Sequence, residues 1–182
     1  MMATRQLQAQ LFGQDVKFEY SERAIGYAIV ALRIVMGWVL FQGGITKVLD
    51  PSFTAAGYLT NLPEGNPFIG FFGSMAGNSV IDGLVAWGLT LTGIGLMAGA
   101  LTRWCAFWGA VMMLFFWAAS LTGGIAQGLP IAHGWVVDDH IVYAALLFGL
   151  GAIGAGRILG VDGLLERNQM VQDHPTVKYV LG

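Results

Sequence analysis

The stretch of sequence that decides the fold spans residues 23–44 and reads RAIGYAIVALRIVMGWVLFQGG. A helix of this length rises about 33 Å, which matches the ~30 Å hydrocarbon core of a bilayer. Apart from Arg23 at its start, the stretch carries a single charged side chain, Arg33. These features predict a membrane-spanning helix over residues 23–44.

Three more apolar stretches of spanning length follow, at residues 80–101, 104–125 and 137–159. None of them alternates apolar and polar residues as the strands of a membrane barrel do. The whole chain is 55% hydrophobic and only 11% charged, whereas a soluble domain carries about 25% charged residues. The predicted fold is therefore an all-α integral membrane protein, a bundle of four transmembrane helices embedded in the lipid bilayer.

The chain is expected to form a single membrane domain over residues 1–182, with an N-terminal segment at 1–22 and a tail at 160–182. The first outer loop, residues 50–79, is rich in aromatic side chains and interrupted by prolines. It is too apolar to extend freely into water and too broken to span the bilayer. We expect one or two short interfacial helices in this loop, lying over the outer mouth of the bundle.

Positive charges gather on one side of the predicted topology, which sets its orientation. The residues on that side are Arg5, Lys17, Arg23, Arg103, Arg157, Arg167 and Lys178. Only Lys47 lies in the two loops on the other side. The first twenty residues lack an apolar core, so the first helix is expected to act as an uncleaved targeting signal. The pattern predicts a multi-pass protein of the cell membrane with both termini cytoplasmic.

Charge and cysteine content exclude two classes of function. The formal net charge is −2 and there is no dense basic patch, so no nucleic-acid partner is expected. The single cysteine, Cys105, excludes a thiol–disulfide relay within the chain, because such a relay needs a pair of thiols.

Arg33 lies near the middle of the first predicted helix, where a charge costs at least ~2.5–3.5 kcal/mol unless it is buried in the bundle and paired. Two interpretations stay open, namely a structural ion pair between helices and a binding site for a polar headgroup, quinone carbonyl or anion. Gly37, Gly44 and Lys47 lie on roughly the same helical face as Arg33. This face is a candidate ligand cleft, although Lys47 alone fits an interfacial lysine that extends to the membrane surface.

The segment HGWVVDDHI at residues 133–141 holds a second group of polar side chains. Asp138 and Asp139 fit simple capping of the fourth helix. Alternatively, Asp139 and His140 serve as proton-transferring groups at the membrane rim, where Arg33 and Lys47 need counter-charges. Trp135 precedes these acids and Tyr143 lies one turn beyond Asp139, where it extends the polar path.

Metal and haem sites are weaker interpretations of the same residues. His133, Asp139 and His140 do not have the spacing of a structural zinc site, so no metal is predicted. Haem needs an axial ligand deep in the bundle, whereas His133 and His140 lie at the outer edge and His174 lies in the tail. No haem is therefore expected.

Several short motifs together resemble the DoxX/DoxD family. The first is LRIVMGWVLFQGGITKVLDP at residues 32–51, with an Arg, a Gly, a Gly-x-x-Lys and an Asp-Pro in order. SFTAAGYL, GLMAGALTR, DDHIVYAALL and LGVDGLL then follow in the expected sequence. The resemblance covers roughly residues 25–165, which is most of the chain.

The resemblance implies a four-helix membrane bundle with a role in respiratory electron transfer. Better-studied members are similar to the membrane subunit of thiosulfate:quinone oxidoreductase. By that likeness, Arg33, Lys47, Asp139 and His140 would line a quinone or oxyanion site, with quinone as the bound substrate. A second subunit would then handle the sulfur compound. The alternative is a non-catalytic accessory, assembly or lipid-binding subunit of a larger membrane complex.

Overall fold

The protein is described by a computed structural model, which covers residues 4–11 and 13–182. It opens with an antiparallel hairpin of β1 (Thr4–Leu11) and β2 (Gln14–Ser21). The all-α prediction is incomplete here, because residues 14–21 alternate apolar and polar side chains with the period of two that is typical of a strand. β2 leads directly into the first long helix, α1 (Glu22–Val48), whose N-cap is Ser21.

The remaining helices form the bundle and its cover. α1, α4 (Ser79–Ala98) and α5 (Thr102–Ser120) are, within the described residues, the helices long and apolar enough to cross a membrane. Their outward faces expose large apolar side chains such as Trp38, Trp87 and Phe107, as expected where lipid replaces water. The predicted spans at 23–44, 80–101 and 104–125 are thus confirmed, with small shifts of their bounds.

The predicted fourth span at 137–159 is not found in that form. α6 (Asp139–Ile153) has 15 residues, so it rises only about 22 Å. It stops because Gly154 adopts a left-handed conformation at φ 71°, and the chain continues as a 3-10 turn, Ala155–Arg157. The apolar composition continues beyond Gly154, and for this reason hydropathy overestimated the helix.

The bundle has two ends, which we name the hairpin end and the lid end. At the hairpin end, α1 begins, α4 turns into α5, and α6 finishes. At the lid end, which takes its name from the lid formed by residues 55–73, α1 finishes. Two short helices of the lid, α2 (Ala56–Leu59) and α3 (Ile69–Gly73), lie over the mouth of the bundle there. Phe72 of α3 is buried there against Ala119 of α5. The loop between α1 and α4 therefore contains two short helices, where one or two were expected.

Polar side chains hold the lid, meaning residues 55–73, onto the bundle. Asn66 is buried and donates from Nδ2 to the carbonyls of Ala118 and Ala119, each at 3.0 Å. The N–H of Ala55 donates to Asp82 Oδ1 at 2.7 Å. Because the two Asn66 bonds satisfy carbonyls in the last turn of α5, the lid also caps that helix.

The tail folds back onto the hairpin end. It contains α7 (Val161–Leu165), α8 (Gln169–Asp173) and a 3-10 turn, Pro175–Tyr179. The N–H of Trp104 donates to the carbonyl of Val180 at 3.3 Å, and Leu181 is fully buried. The tail is therefore part of the packed structure.

Candidate functional site

Arg33 lies at the hairpin end and is 1% exposed. Its Nη1 donates to the carbonyls of Ala155 and Ile158 at 2.6 and 3.1 Å, and its Nη2 donates to that of Leu159 at 3.2 Å. These carbonyls belong to the turn that follows α6, so the partners of Arg33 are backbone groups rather than a carboxylate.

Asp162, in α7, is a second buried charged residue at the hairpin end. We refer to Arg33 and Asp162 together as the hairpin-end centre. Its carboxylate is fully buried and accepts from the N–H groups of Leu101, Thr102 and Gly182 at 2.7, 2.8 and 3.0 Å. A carboxylate at a helix N-terminus is favourable, since free N–H groups and the helix dipole meet there. Sequence reasoning missed Asp162 because it lies in the polar tail. The one available signal was an isolated acid within the apolar run 161–165.

Asp162→Asn is expected to lower the free energy of unfolding by about 2 kcal/mol. An amide offers one acceptor oxygen and a donor that faces backbone N–H groups, so at least one buried donor loses its partner. The measurement is the midpoint of unfolding by sodium dodecyl sulfate in mild detergent. Asp173→Asn, at an exposed position of α8, is the control, and equal midpoints for both variants would contradict the capping role.

The predicted cleft along α1 is filled by α4. A Cβ placed on Gly37 would lie 2.9 Å from the carbonyl oxygen of Gly93, and one on Gly44 would overlap Thr90. Small residues that let two helix backbones approach closely have this role in membranes. The glycines that suggested a ligand slot therefore form a helix–helix seam.

Lys47 is distant from Arg33 because 14 residues of helix separate them, which corresponds to about 21 Å. Lys47 Nζ donates to the carbonyl of Gly43 at 2.6 Å and lies 5.8 Å from the centre of the Phe53 ring. In the described part of the chain, neither cation forms an ion pair with Asp138 or Asp139. The expected pairing of these cations with the acid–histidine segment is wrong.

The lid end carries a cluster of Asp138, Asp139 and His140 at the start of α6. Asp138 is the N-cap, and its Oδ1 accepts from the N–H of Ile141 at 3.1 Å. Its Oδ2 lies 2.8 Å from His140 Nδ1, whereas the nearest oxygen of Asp139 is 3.4 Å away. Asp138 is therefore the main partner of His140, whereas Asp139 and His140 were predicted as the proton-transferring groups.

Residues from α5 and from the lid surround this cluster. The Phe116 ring meets the His140 ring edge-on, with 6.0 Å between centroids, and Ser120 Oγ lies 3.4 Å from Asp138 Oδ2. Burial raises the pKa of Asp138, but the hydrogen bonds from His140 and Ile141 outweigh burial and hold it below its usual value. Burial, and then the charge of Asp138, raise the pKa of Tyr58, so α2 lies within electrostatic range of the cluster.

The histidine keeps one nitrogen available. Nδ1 faces the Asp138 carboxylate, so Nδ1 carries the proton and Nε2 is the nitrogen that a ligand can reach. Nε2 has no hydrogen-bond partner among the described residues. A half-buried imidazole oriented by a carboxylate is an arrangement suited to proton transfer.

The other predicted site residues are peripheral to this cluster. Trp135 lies in a two-residue bridge to residues 130–131 and is 77% exposed. Tyr143 is half-buried against the helical core, and the side chain of Asp139 is 66% exposed. Ligand atoms of Asp138, Asp139 and His140 lie within 4.8 Å of one another, and His133, which the weaker metal interpretation had included, is not among them.

The fold and the site together define a class, a helical membrane protein with one polar centre at each end of its bundle. The family model described as DoxX matches residues 28–122, which is more than half of the chain, and the protein belongs to the DoxX family. The match covers α1 to α5 and ends before the Asp138–His140 cluster. No curated protein and no solved structure matches the chain.

Proposed function

We propose that this DoxX-family protein is the quinone-reactive membrane subunit of a respiratory oxidoreductase of the thiosulfate:quinone type. The observation that carries the proposal is the 2.8 Å contact between Asp138 Oδ2 and His140 Nδ1 at the lid end. Quinone reduction consumes two electrons and two protons. In this proposal a second subunit delivers the electrons.

The residues at the lid end fit the head group of a quinone. When His140 is protonated on both nitrogens, its Nε2–H donates to a carbonyl oxygen, and Phe116 offers an aromatic edge beside the ring. The imidazolium releases the Nε2 proton and keeps the one on Nδ1, and the Asp138 carboxylate stabilises the charged form before each transfer. The exposed carboxylate of Asp139, 3.4 Å from the same ring, supports resupply of protons from water.

A groove suited to an apolar tail lies on the other side of α5. It has a volume of about 250 Å³ and its walls include Phe68, Phe71 and Phe115. At about 100° per residue, Phe115 and Phe116 point to different faces of the helix. A tail in this groove would therefore have to pass around α5, and the groove itself offers no polar side chain to a head group.

A fourth membrane crossing by α6 belongs to the same proposal. α6 lies antiparallel to α5, with Asp138 beside Ser120 at the lid end and Gly151 beside Arg103 at the hairpin end. The 3-10 turn lengthens it towards the hairpin end. With four crossings, the distribution of Lys and Arg favours cytoplasmic termini and a lid that faces the opposite side of the membrane.

An accessory role without catalysis is the second candidate, and the geometry of Arg33 favours it. The guanidinium makes three hydrogen bonds to backbone carbonyls that follow α6, so its charge stabilises the fold. The packed tail and the lipid-facing grooves would then serve assembly of a larger complex.

His140→Gln is expected to lower the turnover number of quinone reduction by about 100-fold, since general acid–base groups contribute at least this much. Asp138→Asn is expected to lower it less, because the imidazole remains. The measurement is thiosulfate-dependent quinone reduction by the complex assembled with its partner subunit. His133→Gln, at an exposed position in the same loop, is the control. Unchanged turnover in His140→Gln, with an intact complex, would favour the accessory role.

A further inference from the structure

The segment that leads into α6, residues 135–137, lies on the protein surface with little side-chain packing to hold it. Trp135, Val136 and Val137 are 77%, 41% and 59% exposed. Val136 also has a φ of 57°, in the left-handed region where a β-branched residue is a genuine outlier. Such a conformation persists only where the surrounding structure holds it in place. Hydrogen bonds to Val136 must therefore supply what packing does not.

Two hydrogen bonds hold the backbone of Val136. Its N–H donates to the carbonyl of Leu129 at 3.1 Å, which closes the short hairpin that pairs Pro130–Ile131 with Gly134–Trp135. Leu129 has a left-handed φ of 52° as well, so this bond joins two strained residues of one loop. The carbonyl of Val136 accepts from the indole Nε1–H of Trp117 at 2.7 Å. The bond from Trp117 ties the loop to a helix of the bundle.

Trp117 lies in the last turn of α5, beside the cluster of Asp138 and His140. Ser120, three residues further on, lies on the same face of the helix, and its Oγ is 3.4 Å from Asp138 Oδ2. This face of α5 thus contacts the carbonyl of Val136 and the carboxylate of Asp138, which are only two residues apart. The bond from Trp117 therefore sets the direction in which the chain enters α6, and with it the place of the Asp138 carboxylate.

We propose that Trp117 is a positioning residue for His140. Its indole N–H holds Val136 in the left-handed conformation and so keeps Asp138 Oδ2 against His140 Nδ1, 2.8 Å away. The neutral imidazole then carries its proton on Nδ1 and takes up the transferable proton on Nε2. The inference rests on the proposed function of the Asp138–His140 cluster, but the orientation of His140 can be measured without quinone.

Trp117→Phe is the test variant, because it keeps an aromatic ring and removes the indole donor. The observable is the tautomer of His140, read from the imidazole nitrogen chemical shifts of the isotope-labelled full chain in mild detergent and assigned with His140→Gln. At about pH 9 an ordinary imidazole is neutral. The wild type is expected to carry the proton on Nδ1. In Trp117→Phe the ratio of the Nδ1–H to the Nε2–H tautomer is expected to fall about fivefold, the effect of one ordinary hydrogen bond.

Two further variants separate positioning from stability. Trp108→Phe makes the same substitution at a half-exposed position of the same helix and is expected to leave the tautomer ratio unchanged. Glycine adopts a left-handed φ without steric cost, so at position 136 it does not need the indole bond. The double variant Trp117→Phe/Val136→Gly is therefore expected to regain most of the Nδ1–H tautomer. Turnover of quinone reduction by the assembled complex is expected to follow the tautomer ratio through this series.

An unchanged tautomer ratio in Trp117→Phe would overturn the proposal. So would a changed ratio that Val136→Gly does not restore, since the indole would then act on more than the conformation of Val136. A change that Val136→Gly restores supports the positioning of His140 by Trp117. If turnover stayed constant across such a series, the proposed catalytic role of His140 would fail while its positioning by Trp117 would stand.

Discussion

Arg33→Leu is expected to lower the free energy of unfolding by about 3–5 kcal/mol. The substitution removes the donor of three hydrogen bonds and leaves the carbonyls of Ala155, Ile158 and Leu159 without it. A buried acceptor that loses its donor costs about 1–3 kcal/mol, and three carbonyls lose one here. It also removes a positive charge that interacts with the buried Asp162, so the hairpin end loses both hydrogen bonds and a counter-charge. Unfolding by sodium dodecyl sulfate in mild detergent measures the change.

Arg33→Lys is the informative companion variant. Lysine keeps the charge, but its compact ammonium cannot reach three carbonyls with the planar spread of a guanidinium. An intermediate loss of stability is expected. If Arg33→Leu unfolded at the same denaturant fraction as the wild type, the guanidinium would not be structural, and Arg33 would return as a ligand-binding candidate.

Gly44→Leu is the second large effect, and it is expected to lower the free energy of unfolding by about 3 kcal/mol. A Cβ on Gly44 would overlap the backbone N–H and the hydroxyl of Thr90. Since the obstruction is backbone, a rotamer change cannot relieve it, and α1 and α4 must move apart. Overpacking of a close contact costs about 1–3 kcal/mol, and occasionally more.

Gly43→Leu provides a matched control on the adjacent residue. The space around a Cβ on Gly43 is open, so the leucine projects outward and adds helix propensity. The expected stability equals or exceeds that of the wild type, measured by the same detergent titration. Equal losses at positions 43 and 44 would contradict the α1–α4 seam.

The sequence predicted the long helices well, because a spanning helix is encoded by local composition. It predicted the fourth one poorly for the same reason. Residues on both sides of Gly154 are apolar, and only the left-handed turn at φ 71° ends α6. Hydropathy contains no information on that turn. The hairpin at 4–11 and 14–21 does have a local signal, an alternation of apolar and polar residues with a period of two.

The contacts of the site residues depend on distant parts of the chain, which local sequence patterns do not encode. A buried charge in α1 correctly predicted that Arg33 faces the interior and has partners. Those partners are backbone carbonyls more than 120 residues away, and backbone carries no sequence signature. The glycines on the same face are compatible with a slot or with a helix seam, and only the position of α4 distinguishes the two. Similarly, the choice of Asp138 over Asp139 depends on which carboxylate turns towards His140.

Arg33 with Asp162, the structural centre, and Asp138 with His140, the proposed chemical centre, lie at opposite ends of the bundle. The most direct measurement is photo-cross-linking of the purified chain with an azido-quinone, followed by peptide mapping. Labels are expected in residues 116–120 and 135–143, and they should disappear with excess unlabelled quinone. Competable labels in residues 30–37 and 155–162 instead would contradict the claim.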